Sequence, residues 1–153
     1  MTAGKKASWL GLLLVSIVII APKFACAQGK DDTGTLSVEI TNLHNDKGVV
    51  RCALYSDPDQ FPKGDYFRAT TASIADKKAT CVFKKLPPGT YAIAAFQAEH
   101  NERRMSYNFL GMPLEGYGFS DNAPSSFAPP AFSTAAITFR GGEASSKITL
   151  HYR

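Results

Sequence analysis

The sequence predicts an all-β fold, a sandwich of two sheets built from seven short strands, and three features carry that reading. Apolar residues recur at every second position in several short runs. Clusters of Gly, Pro, Asn and Asp separate those runs. After the first two dozen residues, no stretch keeps the 3.6-residue period of an amphipathic helix.

Lys5 and Lys6 precede an uncharged apolar run from Trp9 to Ala21, which Pro22 and Lys23 close. A membrane-spanning helix needs about 20 apolar residues and a signal-peptide core about 7 to 15, so the run has the length of the latter. Ala25-Cys26-Ala27 fits the small-x-small cleavage rule. Residues 1–27 therefore read as an N-terminal signal helix that is removed, leaving Gln28 at the start of a periplasmic or secreted protein. No stable membrane span is expected after cleavage. The alternatives are an uncleaved N-terminal anchor and a lipoprotein acylated on Cys26, although Lys23 stands where a lipid-attachment signal needs an aliphatic residue.

Cleavage changes how the composition reads. Removing Lys5, Lys6 and Lys23 takes 17 basic residues to 14 against 13 acids, so the formal charge falls from +4 to +1. The remaining basic residues are scattered, and Lys77-Lys78, Lys84-Lys85 and Arg103-Arg104 form no stripe able to follow a phosphate backbone; no nucleic acid is expected as a partner. Cys26 also leaves, and Cys52 and Cys81 remain as an even pair in an oxidising compartment, where a disulfide is the default. Two buried free thiols are the alternative.

The elements follow in order. Residues 28–34 are polar and read as a tail, ahead of a sandwich domain at 35–153. Leu36, Val38 and Ile40 alternate with Ser37, Glu39 and Thr41 in the first strand. Asn45-Asp46-Lys47-Gly48 turns the chain into a second strand at 49–55, where Val50, Cys52 and Leu54 share one face. Prolines and glycine make 57–64 a loop. Residues 68–74 and 78–84 read as a hairpin about Ala75-Asp76-Lys77, with Ala79, Cys81 and Phe83 on one face. Leu86-Pro87-Pro88-Gly89 turns again, and 90–96 is apolar enough to be a central strand. The last two strands, 135–139 and 147–152, are expected to pair across Gly141-Gly142.

Residues 97–134 show no period and exceed an ordinary connection. Tyr107, Phe109, Leu110, Met112, Leu114, Tyr117, Phe119, Phe127 and Phe132 make this loop too apolar for a solvated linker. Either the aromatics extend the core or cover a sheet edge, or they line a ligand groove formed by Tyr107, Tyr117 and Phe119 with Asn108, Glu115 and Asp121 as polar anchors. Catalysis has little support: His44, His100 and His151 fall in different elements, and no serine stands in a nucleophile motif. His100 with Glu99 and Glu102 lacks metal-ligand spacing, so neither a metal nor a cofactor is expected.

Val49-Val50-Arg51, Ala53-Leu54, Phe61-Pro62, the Leu86-Pro87-Pro88-Gly89-Thr90-Tyr91 turn and above all the segment from Asn108-Phe109-Leu110-Gly111 to Gly116-Tyr117-Gly118-Phe119-Ser120 resemble an exported bacterial family called domain of unknown function 2141. The resemblance runs from about Leu36 to Tyr152. It implies a sandwich of the Ig-like or prealbumin-like kind, and the Leu-Pro-Pro-Gly-Thr-Tyr turn is similar to one in carboxypeptidase-regulatory-like domains. It carries over no catalytic residue.

The expectation is a non-enzymatic module of the cell envelope that holds an envelope protein, a glycan or a small ligand at the 100–134 part of this loop. A small hydrolase using His100, Glu115 or Asp121, or a purely structural accessory domain, are the alternatives. Family members commonly carry a calcium-type loop before Asn-Phe-Leu-Gly, but here Ala98, His100 and Ser106 replace hard-oxygen ligands and Arg103 and Arg104 add positive charge. Millimolar calcium is therefore expected to leave the melting temperature unchanged; a clear rise in a thermal melt would contradict this.

Overall fold

Alternation along the first strand decides which way it faces, and the computed structural model, which describes residue 4, residues 32–125 and residues 128–153, shows the result. In β1 (Gly34–Thr41), Leu36, Val38 and Ile40 are buried while Glu39 is exposed. The strand begins one residue inside the segment read as a tail. Apart from Gly4, the segment read as a signal peptide lies outside the described residues, as does Phe127.

Seven further strands follow: β2 (Val49–Tyr55), β3 (Arg68–Ser73), β4 (Ala79–Leu86), β5 (Gly89–Ala98), β6 (Tyr117–Phe119), β7 (Ile137–Phe139) and β8 (Glu143–Thr149). The smaller sheet has the order β4-β1-β8, with β1 antiparallel to β4 and parallel to β8. The larger has the order β3-β2-β5-β6, and β7 pairs with the start of β5. The fold is an all-β arrangement of two sheets. The strand beyond the expected seven is β6, inside the segment read as irregular.

Two expected pairings are wrong. β3 and β4 do not pair as a hairpin: β3 pairs with β2 and β4 with β1, so the chain changes sheet at the corner where Ala75 and Lys78 exchange backbone hydrogen bonds of 2.9 and 3.0 Å. The turn residues are those of a hairpin, but their corner joins two layers. Likewise, β7 and β8 part after Gly141-Gly142, β7 to the edge of β5 and β8 to β1. β5, read as central, is central.

Inward positions of both sheets meet in one core, including Val38, Ile40, Val50, Leu54, Phe83, Ile93 and Ile148. Cys52 on β2 and Cys81 on β4 are bonded within it, so the disulfide ties one sheet to the other. The bond spans 29 residues of sequence. Replacing both cysteines by alanine, which puts no unsatisfied hydroxyl in the core, is expected to lower the unfolding free energy by about 3 to 4 kcal/mol in chemical denaturation. No loss would mean that the bond does not restrain the unfolded chain.

Candidate functional site

β5 sends apolar side chains to both faces of the larger sheet. Tyr91, Ile93 and Ala95 enter the core, whereas Ala92, Ala94 and Phe96 belong to a second apolar cluster outside it. Tyr117, Phe119, Ala123, Ala135, Phe61, Met105 and Phe132 complete that cluster, so much of the 97–134 segment covers the outer face. The segment contains a 3-10 turn (Ser120–Asn122) and one helical turn, α1 (Phe132–Ala135), besides β6.

Gly-Tyr-Gly-Phe-Ser fits this role residue by residue. Gly116 leaves room for the Tyr152 ring, which a Cβ would strike. A Cβ on Gly118 would lie 2.7 Å from Ile148 Cγ2, so only glycine lets β6 lie this close to β8. Tyr117 and Phe119 alternate to the outer face. Ser120, fully buried, accepts a 2.8 Å hydrogen bond from Ile93 N through its Oγ and donates to Ala135 O, joining β5 to α1.

The cover is incomplete, and a groove of about 750 Å³ remains on the outer face. Its floor is set by register: Ala69 on β3, Ala53 on β2 and Ala94 on β5 lie in one row, ending at Phe119 on β6. Three methyl side chains leave the space. Tyr55, Tyr66, Met105, Tyr107 and Tyr117 line it with larger side chains.

Five basic side chains, Arg51, Lys63, Arg103, Arg104 and Arg153, border this apolar floor with one carboxylate, Asp65. Arg51 is spoken for: Nε donates to Glu102 O at 2.7 Å and a terminal nitrogen to Asn101 Oδ1 at 2.8 Å, which ties the chain after β5 to the sheet. Lys63 Nζ lies 5.5 Å from the Tyr107 ring centre, and the Arg153 guanidinium 6.0 Å from that of Tyr117. Arg103 and Arg104 are exposed and have no ion-pair or hydrogen-bond partner among the described residues.

Of the residues singled out in the sequence, Tyr107, Tyr117 and Phe119 line the groove, Tyr107 with 45 % of its surface exposed and Tyr117 and Phe119 nearly buried. Asn108, Glu115 and Asp121 stand outside it. Asn108 Oδ1 accepts from Leu110 N and Met112 N, Glu115 from Ser106 N at 2.9 Å, and exposed Asp121 sits in the 3-10 turn with a φ of 58°. His100 pairs with Glu102 at 3.1 Å, so His100 and Glu115 engage different partners. Burial draws the Glu102 carboxyl upward, but hydrogen bonds from its own backbone and from His100 prevail and hold it below the usual value. Among the described residues, no three His, Cys, Asp or Glu side chains gather as metal ligands, and no helix is long and apolar enough to cross a membrane.

A second polar centre was not legible in the sequence. Gln97, fully buried at the end of β5, donates from Nε2 to Asn45 O, Asn45 Oδ1 and Lys47 O, and its Oε1 accepts from the Tyr152 hydroxyl. Tyr152 stacks on His44 with ring centres 3.4 Å apart.

A family model described as an uncharacterized protein conserved in bacteria, domain of unknown function 2141, matches residues 38–147. The chain belongs to this family. The DUF2141 match runs from within β1 to within β8 and includes the whole 97–134 segment. No curated protein matches the chain. A solved structure of a pilus-presented adhesin, in a cysteine-to-alanine mutant form, is similar over 78 % of this chain and 27 % of its own length, at 13 % identity and a TM-score of 0.24. The chain thus spans about a quarter of that structure, and the score is too low to identify a shared fold.

Burial raises the hydroxyls of Tyr55, Tyr107 and Tyr152 of this DUF2141 domain above their ordinary value of 10.0: at Tyr55 with Tyr66 and Tyr107 adding to it, at Tyr107 with Glu115 and Tyr117 adding, and at Tyr152 with Glu99 adding against a hydrogen bond from His44 N. The folded state then holds these protons more tightly than the unfolded chain. Their contribution to stability is complete below pH 10.0 and is lost as pH climbs through the raised folded values. Melting temperature is expected to fall above that pH, with tyrosinate absorbance appearing at higher pH in the folded than in the denatured protein. Coincident titration curves would exclude the effect.

Proposed function

We propose that this DUF2141 protein is a non-enzymatic binding module of the cell envelope, exported by cleavage after Ala27, and that its outer groove takes an anionic ligand with an apolar body. One observation carries the ligand class: an alanine floor between aromatic walls, bordered by five cations and one carboxylate. The apolar floor gains from covering hydrocarbon or ring surface, and Arg103 and Arg104, exposed at the rim, can meet negative charge without breaking an existing pair. Small organic anions and acidic glycans share this chemistry. The disulfide suits the oxidising compartment that export implies.

Anilinonaphthalene sulfonate, an aromatic anion, serves as the probe. Saturable one-to-one binding with fluorescence enhancement is expected, weakened roughly tenfold by Arg103→Ala/Arg104→Ala, as for loss of charge-assisted contacts. Ala53→Leu, which fills the floor, should abolish it. Substituting the exposed Phe109 and Leu110 should leave it unchanged. Binding that ignores both Ala53→Leu and the arginine pair, or no saturable binding, rejects the groove as the site.

A further inference from the structure

Residues 106–114 form a hairpin whose own backbone holds it. Asn108 N donates to Met112 O at 2.9 Å, Gly111 N to Asn108 O at 2.9 Å and Leu114 N to Ser106 O at 3.0 Å. Asn108 Oδ1 takes Leu110 N and Met112 N at 2.9 and 3.0 Å, and Gly111 supplies the positive φ of 75° that the tip requires. So fixed, the tip presents its side chains outward: Phe109 is 95 % exposed and Leu110 71 %, while Leu114, paired with Ser106 at the foot of the hairpin, is 64 % exposed.

Two adjacent large apolar side chains held in water on a bonded hairpin are an unsatisfied surface. At its base cations outnumber carboxylates, which are Glu115, accepting from Ser106 N at 2.9 Å, and Asp65 on the groove. Lys63 stands against Tyr107, Arg153 reaches Met112 Sδ at 3.9 Å, and Arg103 and Arg104 border the same groove. We propose that this hairpin is a membrane-interface anchor: Phe109 and Leu110 enter the boundary between headgroups and acyl chains of an anionic bilayer, while the cations at the base meet lipid phosphates. A narrow projection suits a fluid medium that closes around it, whereas a protein partner would need a matching socket. Apolar insertion and charge attraction together give the two weak signals that reversible peripheral binding uses.

Trp9, the one tryptophan of the chain, lies in the segment proposed to be cleaved, so in the mature protein beginning at Gln28 a Phe109→Trp variant reports from the tip alone. Its emission should shift to the blue, and be quenched by brominated acyl chains, on phosphatidylcholine vesicles containing about one-third phosphatidylglycerol. In cosedimentation, Phe109→Ser/Leu110→Ser should weaken partition at least about tenfold, and removing phosphatidylglycerol or raising salt should weaken it too. The exposed positions predict an unchanged melting temperature for the serine variant, so a loss of binding is not a loss of fold. Unmoved emission on anionic vesicles, equal partition of the serine variant, equal binding to neutral vesicles, or self-association through the tip without lipid would each overturn the proposal.

Discussion

β5 runs through the middle of the larger sheet with Ile93 and Ala95 turned toward the core and Ala92, Ala94 and Phe96 turned away from it. A strand apolar on both faces needs cover on both. The smaller sheet supplies one cover and bonds to it through Cys52–Cys81. The other has to come from irregular chain, which explains why a segment with so little regular structure carries so many aromatics. Its backbone polar groups are then met one at a time, as Ser120 does for Ile93 and Ala135.

The groove follows from the same arrangement. Cover made of bulky side chains on one side and alanines on the other cannot close at interior density everywhere. Where Ala69, Ala53 and Ala94 face outward in one row, the space stays open, and the arginines at its rim hold the surrounding chain as well as offering charge. Arg51 belongs to the first kind and Arg103 and Arg104 to the second. The hairpin tip is separate from this bargain between cover and sheet, since Phe109 and Leu110 cover nothing.

Much of the fold was legible in the sequence because strand alternation is local. Leu36, Val38 and Ile40 announce their face, and Cys52 and Cys81 sit among inward residues of two strands. Pairing partners were not legible, because Ala75-Asp76-Lys77 and Gly141-Gly142 serve a corner between sheets as well as they serve a hairpin. β6 was missed because three residues interrupted by glycine show no period. The aromatics of the site were visible by type. Its cations were not, since Arg51, Lys63, Arg103 and Arg153 are scattered in sequence and only strand register and the return of the chain bring them to one rim.

β1 lies between two partners that arrive late. Val38 faces Cys81 on one side and Ser146 on the other, and Thr41 meets Thr149 across a separation of 108 residues. Contacts this distant along the chain carry a large loop-closure entropy, and such high contact order slows folding. A chain whose Cys52 and Cys81 are already joined has β2 and β4 held close before β8 docks. Oxidation thereby shortens the effective path to the smaller sheet, so the same covalent link acts on the speed of assembly as well as on the finished domain.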